Sequence, residues 1–168
     1  MVEITPMRVE DLPAVLEIER CSHVEPWGQG FFEEEMDRSQ SFLLAARSSK
    51  NSGDVLGYIC FWKVVDEIHI LNLAVHVASR RQGVGRALML EALAMGYDRS
   101  ARVALLEVRR GNTAAQNLYL SLGFQPTGQR PNYYREMHEP AILMELEMDH
   151  HWKMQWLNNP NGAPKAGR

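Results

Sequence analysis

Three arginines, a glutamine and two glycines stand together in the stretch SRRQGVGRAL, residues 79–88, where an apolar run with helical periodicity begins. The first N–H groups of a helix lack partners in that helix and lie at the positive end of its dipole, so an anion is stabilised there. Gly83 and Gly85 let a ligand approach the backbone closely, and the arginines can form paired hydrogen bonds with phosphate oxygens. The stretch predicts a diphosphate site. A tight strand-to-helix turn with solvated arginines is the alternative that these residues leave open.

A carboxylate inside an apolar segment is a second candidate for chemistry. Glu107 lies in VALLEVR, residues 103–109, which otherwise suits a buried strand, where an unpaired carboxylate is costly. Alternation places Glu107 on the face opposite Leu106, where desolvation would raise the pKa of its carboxyl toward the range of a general base. The residues alone favour a plainer role, which is an ion pair with Arg109 or Arg102.

A tyrosine on the next predicted helix is a candidate general acid. Tyr119 lies in NTAAQNLYLSLGF, residues 112–124, with Asn112 as a plausible N-cap and Gly123 as the left-handed residue that ends the helix. Its phenol can donate a proton. A tyrosine on an amphipathic helix usually serves packing, so the spacing alone does not assign this role.

The elements that must position these residues form a regular series. Helices are predicted at 9–20 (with Asp11 as cap and Pro13 in the first turn), 31–38, 84–99 and 112–124, and strands at 41–47, 55–65, 67–75, 102–108 and 141–148, after a short strand that precedes the first helix. The apolar strands at 67–75 and 102–108 suit burial on both faces. The order predicts a mixed sheet with helices on its faces.

The C-terminal residues lose this periodicity. We therefore expect one domain over residues 1–148 and a flexible tail over 149–168, whose Trp152 and Trp156 could dock on the domain. The adjacent residues His150 and His151 have no other clustered ligands and read as surface residues rather than a metal site.

Composition limits the classes of protein to which the chain could belong. With 168 residues, 45% of them hydrophobic, and a net charge of −3, the chain resembles an ordinary globular protein without a general affinity for nucleic acid or membranes. Cys21 and Cys60 share no CxxC spacing and predict buried free thiols, neither a disulfide nor a metal site. Without a signal-peptide pattern or an apolar run of membrane-spanning length, we expect a cytoplasmic protein.

Two of these motifs together resemble the GCN5-related N-acetyltransferase (GNAT) family. The pattern Arg80-x-x-Gly83-x-Gly85 follows the strand LNLAV and opens a helix, as does the acetyl-CoA pyrophosphate loop of that family. LEVRRGNTAAQNLYLSLGF, residues 106–124, is similar to its second signature, in which a strand, an Asn and a Tyr-bearing helix pack along the cofactor. The resemblance implies the α/β (α+β) GNAT fold, with a mixed, mostly antiparallel central sheet flanked by helices on both faces.

The resemblance also implies roles for individual residues. It implies acetyl-CoA as co-substrate and no metal, with Glu107 as general base, Tyr119 as general acid, and a backbone N–H near Val75 that polarises the thioester carbonyl. Trp27, Tyr133 and Tyr134 would line the acceptor pocket, and simple packing of these aromatic residues under two loops is the alternative that remains open. The implied cofactor contacts are Leu73, Ala74, Val75, Arg80, Arg81, Gln82, Gly83, Val84, Gly85, Arg86 and Asn112.

Four stretches narrow the likeness within the family. EPWGQGFF (25–32), HILNLAVH (69–76), LEVRRGN (106–112) and RPNYYRE (130–136) resemble the enzymes that acetylate the N-terminal alanine of a bacterial ribosomal protein. This implies the N-terminal segment of a ribosomal protein as partner, neither nucleic acid nor membrane. Neither cysteine lies in the motifs, so we expect direct attack in a ternary complex. A lysine side chain or small-molecule amine as acceptor, and a non-catalytic acyl-CoA-binding regulatory module, remain as alternatives.

Overall fold

The computed structural model describes residues 2–51, 53–134 and 138–158, with the backbone alone at 132–134. The strands are β1 (Val2–Pro6), β2 (Ser41–Ser48), β3 (Val55–Val64), β4 (Glu67–Val75), β5 (Val103–Arg109), β6 (Gln125–Tyr134) and β7 (Glu139–Glu147). The helices are α1 (Leu12–Ser22), α2 (Gln29–Asp37), α3 (Val84–Asp98), α4 (Thr113–Ser121) and α5 (His150–Trp156).

Within the described residues the strands form one seven-stranded sheet in the order β1-β2-β3-β4-β5-β7-β6. The pairs β1/β2, β2/β3, β5/β7 and β6/β7 are antiparallel. Because β7 lies between β5 and β6, the last strand of the sheet is β6. The mixed α/β fold predicted from the sequence is confirmed, including the short strand before α1. The strand β6 and the helix α5 were not predicted.

Contacts along the chain define two compact units. The first comprises residues 1–63 and 70–92, and the second comprises residues 64–69 and 93 onward. In the first unit, α1 buries Leu12, Val15 and Ile18 in a core that also contains Phe32 of α2 and Tyr58 of β3. Because Leu12, Val15 and Ile18 recur at every third position, α1 has one apolar face.

Asp11 occupies the predicted N-cap position of α1, but its carboxylate does not form the expected capping bond. It accepts a hydrogen bond from the Arg8 N–H at 2.8 Å and pairs with the guanidinium of Arg47, whose Nη1 lies 2.8 Å from Oδ1. Burial acts to raise the pKa of Asp11, but these hydrogen bonds and the charges of Arg47 and Arg8 outweigh it and hold the pKa below its ordinary value. An ion pair 36 residues apart in sequence leaves no local signal.

The helix α5 differs from the loose tail that the sequence suggested. Asp149 caps it by accepting the Trp152 N–H at 2.7 Å, and both Trp152 and Trp156 are buried. The Trp152 ring centroid lies 6.3 Å from that of Tyr97, which also has the Lys153 Nζ 4.9 Å from its centroid. Two buried indoles therefore hold one short helix on the second unit, as large aromatic side chains can. Residues 159–168 lie outside the described residues.

Candidate active site

The C-terminal half of β4 has one buried face and one half-exposed face. Asn72 and Ala74 are buried, whereas Leu73 and Val75 are half-exposed, so the expected burial on both faces is not found. At Gly57 on β3, a Cβ atom would lie 2.8 Å from the Ala74 carbonyl oxygen. The glycine allows β3 to approach this end of β4 closely.

A left-handed turn follows β4 and leads into α3. Gly83 has φ +83°, which confirms the need for a glycine there, and Arg81 has φ +62° although it carries a side chain. The first backbone bond of α3 runs from the Ala87 N–H to the Gly83 carbonyl at 3.0 Å. The first turn of an α-helix presents N–H groups at the positive end of the helix dipole, which is the arrangement that favours anions.

Two side chains of this loop are committed to contacts within the first unit. The Arg80 Nε donates to the Val75 carbonyl at 3.1 Å, and its Nη2 donates to the Ser22 hydroxyl at 3.2 Å. The Gln82 Nε2 donates to the Ala78 carbonyl at 3.0 Å. Arg80 therefore shapes the loop through its side chain, and the exposed Arg81 is placed to contribute charge at its surface. The sequence did not distinguish these two roles.

The segment 23–28 between α1 and α2 carries the predicted acceptor residue Trp27. This indole is half-buried, and its ring centroid lies 4.4 Å from that of Phe31, which is 46% exposed. Val24 is also 46% exposed, so the segment and the start of α2 present apolar surface to solvent. The side chains of Tyr133 and Tyr134, predicted for the same pocket, lie outside the described residues.

In the second unit, Glu107 lies on the half-exposed face of β5, opposite the buried Leu106, as alternation predicted. Its Oε1 lies 2.9 Å from the Nε of Arg130, with the two side chains 28% and 60% exposed. The partners considered from the sequence are engaged elsewhere. Arg109 pairs with Glu139 at 3.0 Å. The carboxylate is therefore ion-paired and partly solvated, not enclosed by apolar residues.

The partner of Glu107 escaped prediction because it lies on β6. That strand contains Pro126, Gly128 and Pro131, residues that are rare in strands except at an edge. The register of β7 explains the contact. Leu143 lies opposite both Glu107 and Gly128, and Arg130 is two residues further along β6. Because this stretch lacks strong strand propensity, the sequence did not predict β6.

The helix α4 carries Asn112 and Tyr119. The Asn112 Oδ1 accepts the Ala115 N–H at 3.1 Å, so the predicted cap is confirmed, and Gly123 ends the helix with φ +98° as predicted. Tyr119 is buried, and its ring centroid lies 5.9 Å from that of Phe124. Burial limits the motion of the phenol.

The cysteines are free thiols, as predicted, although Cys21 is exposed and only Cys60 is buried. Burial raises the pKa of the Cys60 thiol to about 12, so it holds no thiolate at neutral pH. Within residues 2–51, 53–134 and 138–158, no three His, Cys, Asp or Glu side chains are grouped to hold a metal ion. No helix in that same part of the chain is long and apolar enough to cross a bilayer.

Comparisons with known proteins identify the family of this chain. The sequence model of the Acetyltransferase (GNAT) family matches residues 12–124. The [ribosomal protein bS18]-alanine N-acetyltransferase of Escherichia coli K12 is 35% identical over 149 residues, covering 87% of this chain and 97% of that protein. The crystal structure of the E. coli ribosomal-protein-S18-alanine N-acetyltransferase superposes with a TM-score of 0.80 at 32% identity, covering 89% of this chain and 95% of that one.

A second solved structure shows the same architecture. Ard1 from Thermoplasma volcanium gives a TM-score of 0.80 at 28% identity and covers 89% of this chain and 99% of that chain. Acetyl-CoA is the acetyl donor of this family of enzymes. The chain therefore belongs to the acetyltransferase (GNAT) family and is an acetyl-CoA-dependent N-acetyltransferase.

Proposed function

We propose that this enzyme acetylates the α-amino group of an N-terminal alanine on a ribosomal protein. The observation that carries the proposal is the 35% identity to the bS18-alanine N-acetyltransferase of E. coli across 97% of that protein. A likeness of this length includes the segments on the acceptor side as well as the cofactor loop. We propose the cytoplasm as its location, a single catalytic domain over residues 1–148, and neither nucleic acid nor membrane as partner.

Two groups of backbone atoms are proposed to hold acetyl-CoA. The main chain of Leu73, Ala74 and Val75 would lie along the pantetheine arm, with a backbone N–H near Val75 polarising the thioester carbonyl. The N–H groups at the start of α3 would bind the diphosphate, with Arg81 adding charge. The full set of proposed cofactor contacts is Leu73, Ala74, Val75, Arg80, Arg81, Gln82, Gly83, Val84, Gly85, Arg86 and Asn112.

The transfer needs one proton removed and one supplied. The amine nitrogen forms a bond to the acetyl carbon, and the bond from that carbon to sulfur breaks. An α-amine, with a pKa of about 7.7–8.0, is partly neutral near pH 7, whereas a lysine amine at about 10.4 needs a stronger base. Glu107 would accept the proton, directly or through water, with Arg130 holding its carboxylate in place. Tyr119 would protonate the departing thiolate.

The acceptor peptide is proposed to lie against the apolar surface of segment 23–28. Trp27 is the described member of this pocket, and Tyr133 and Tyr134 are proposed as its other walls. The half-buried ring of Trp27 and the exposed ring of Phe31 form an aromatic pair. Such pairs bury large areas against peptide chains at a small entropic cost.

A peptide assay tests the acceptor. The purified enzyme is incubated with acetyl-CoA and either a peptide with a free N-terminal alanine or the same peptide with a blocked N-terminus and an internal lysine. Mass spectrometry should find the product only on the free N-terminus. Product on the lysine would support the side-chain alternative, and binding of acetyl-CoA without any product would support the non-catalytic one.

Matched variants test the catalytic residues. Glu107→Gln and Tyr119→Phe preserve size and should each lower kcat by about 10²–10⁴-fold, with the affinity for acetyl-CoA retained. Glu147→Gln changes an exposed carboxylate of the second unit and serves as the control. Unchanged kcat in the first two variants would refute their assigned roles.

A further inference from the structure

We infer that Glu19 is a positioning residue for the acceptor, because its buried carboxylate fixes segment 23–28 against β4. The inference rests on the proposed function, in which that segment contacts the peptide and β4 contacts the thioester. No role in proton transfer is assigned to Glu19. Its carboxylate acts through the main chain at Trp27.

The carboxylate of Glu19 is 1% exposed and binds donors from three other parts of the first unit. Its Oε1 accepts the Trp27 N–H at 2.9 Å. The Asn72 Nδ2 on β4 lies 3.1 Å from Oε1 and 3.0 Å from Oε2. The hydroxyl of Tyr58 on β3 donates to Oε2. One side chain therefore connects α1, segment 23–28, β3 and β4.

A charge at this depth is not needed for packing alone. The neighbouring core positions of α1, Leu12, Val15 and Ile18, are apolar and fully buried. Burying a carboxylate costs free energy unless its oxygens are hydrogen-bonded. Here one of the donors, the Trp27 N–H, lies outside any helix or strand. No regular hydrogen-bond ladder fixes its position relative to β4. The carboxylate gives the Trp27 N–H an acceptor that no helix or strand supplies.

A second contact attaches the start of the same segment to the end of β4. Ser22, the last residue of α1, accepts a hydrogen bond from Arg80, which also donates to the Val75 carbonyl. Segment 23–28 is thus tied to β4 near Asn72 through Glu19 and near Val75 through Arg80. Between these two contacts lie Leu73 and Ala74, whose main chain is proposed to lie beside the thioester. These two contacts fix the position of segment 23–28 relative to β4 on either side of Leu73 and Ala74.

These contacts should control the distance between the acceptor amine and the thioester. Attack requires reacting atoms within about 3–3.5 Å of one another. A peptide held by the segment keeps that distance only if the segment itself is fixed relative to β4. Loosening the segment should therefore weaken productive peptide binding and leave the binding of acetyl-CoA intact.

The test compares Glu19→Gln with Glu35→Gln. Glu35 on α2 is equally buried, at 1% exposed, and accepts the Trp62 Nε1–H at 2.7 Å, but it has no contact with segment 23–28 among those described. Both variants should lower the thermal midpoint. In Glu19→Gln the KM for the N-terminal peptide should rise about tenfold, equivalent to about 1.4 kcal/mol, with the Kd of acetyl-CoA within about twofold. In Glu35→Gln the peptide KM should stay within about twofold of wild type.

Hydrogen exchange provides a readout that does not depend on activity. Backbone amides of segment 23–28 should exchange about tenfold faster in Glu19→Gln and at the wild-type rate in Glu35→Gln. Tyr58→Phe removes one donor while keeping the charge, so it should produce a smaller change in the same direction and serves if Glu19→Gln does not fold. Unchanged exchange overturns the anchoring. Faster exchange with unchanged peptide KM overturns the acceptor role, and a wild-type enzyme inactive on every N-terminal peptide overturns the proposed function itself.

Discussion

Replacing Gly57 by alanine tests whether the end of β4 positions the thioester. The new methyl carbon would lie 2.8 Å from the Ala74 carbonyl oxygen and 3.3 Å from the Val75 Cα. Carbon–oxygen contacts in sheets begin at about 3.3 Å, so the backbone must shift by roughly 0.5 Å. These two atoms belong to the main chain, which cannot rotate away, whereas the third neighbour, Leu88 Cδ1 at 3.3 Å, is a side-chain atom.

Two effects of Gly57→Ala should be separable. Overpacking of a buried site costs about 1–3 kcal/mol, which lowers the thermal midpoint of a chain of this size by roughly 2–12 °C. A displacement of about 1 Å can reduce catalysis by 10²-fold, so half that shift should reduce kcat/KM for acetyl-CoA by about tenfold. Steady-state kinetics and thermal denaturation measure the two effects on one preparation.

The control for this experiment is Gly53→Ala. Gly53 is exposed, and a Cβ atom there meets nothing within 4 Å. We expect wild-type kinetics and stability from it. If Gly57→Ala loses stability yet keeps kcat/KM for acetyl-CoA, then Ala74 and Val75 do not position the thioester and that assignment fails.

Three further predictions concern stability and the cofactor loop. Asp11→Asn should lower the free energy of unfolding at pH 7 by about 3 kcal/mol, because it leaves Arg47 buried without its anion. The folded-state pKa of Asp11 is depressed, so the contribution of the ion pair to stability is complete above the ordinary carboxyl pKa of 3.8. That contribution is lost as the pH falls through the lower folded-state pKa. Urea titrations should therefore show the difference in unfolding free energy between variant and wild type disappearing in acid. Trp152→Ala should cost about 3–5 kcal/mol in the same assay, and a loss below about 1 kcal/mol would contradict the docking of α5. Arg81→Gly should change the free energy of unfolding by less than about 1 kcal/mol because it relieves a left-handed arginine. Calorimetry should nevertheless show weaker binding of acetyl-CoA by Arg81→Gly, with a deficit that shrinks at high salt.

The elements with strong local signals were predicted well. The bounds of β4 at 67–75 were predicted correctly, because Asp66 and His76 flank a run of mostly apolar residues. The start of α3 at Val84 follows from the glycine before it. The degree of burial was harder to predict. An apolar residue such as Leu73 suits a face covered by a helix and equally suits one that receives a ligand, so composition does not separate the two.

Interactions between distant residues were not predictable. The sequence placed Glu107 on the correct face of β5 but favoured neighbouring arginines as partners, whereas the ion pair is formed with Arg130 across β7. Likewise, Glu19 reads as the polar boundary of an amphipathic helix, and only the fold shows that it binds Trp27 and Asn72. Such contacts depend on strand order and register, which local periodicity does not contain.

The side-chain contacts of Arg80 and Gln82 bear on the thermodynamics of cofactor capture. Both bind carbonyl groups of their own chain, so the turn before α3 has its shape fixed by internal bonds. A receptor that is already rigid loses little conformational entropy when its ligand arrives. Acetyl-CoA association should therefore be fast and governed by diffusion and charge, without a slow rearrangement of the protein.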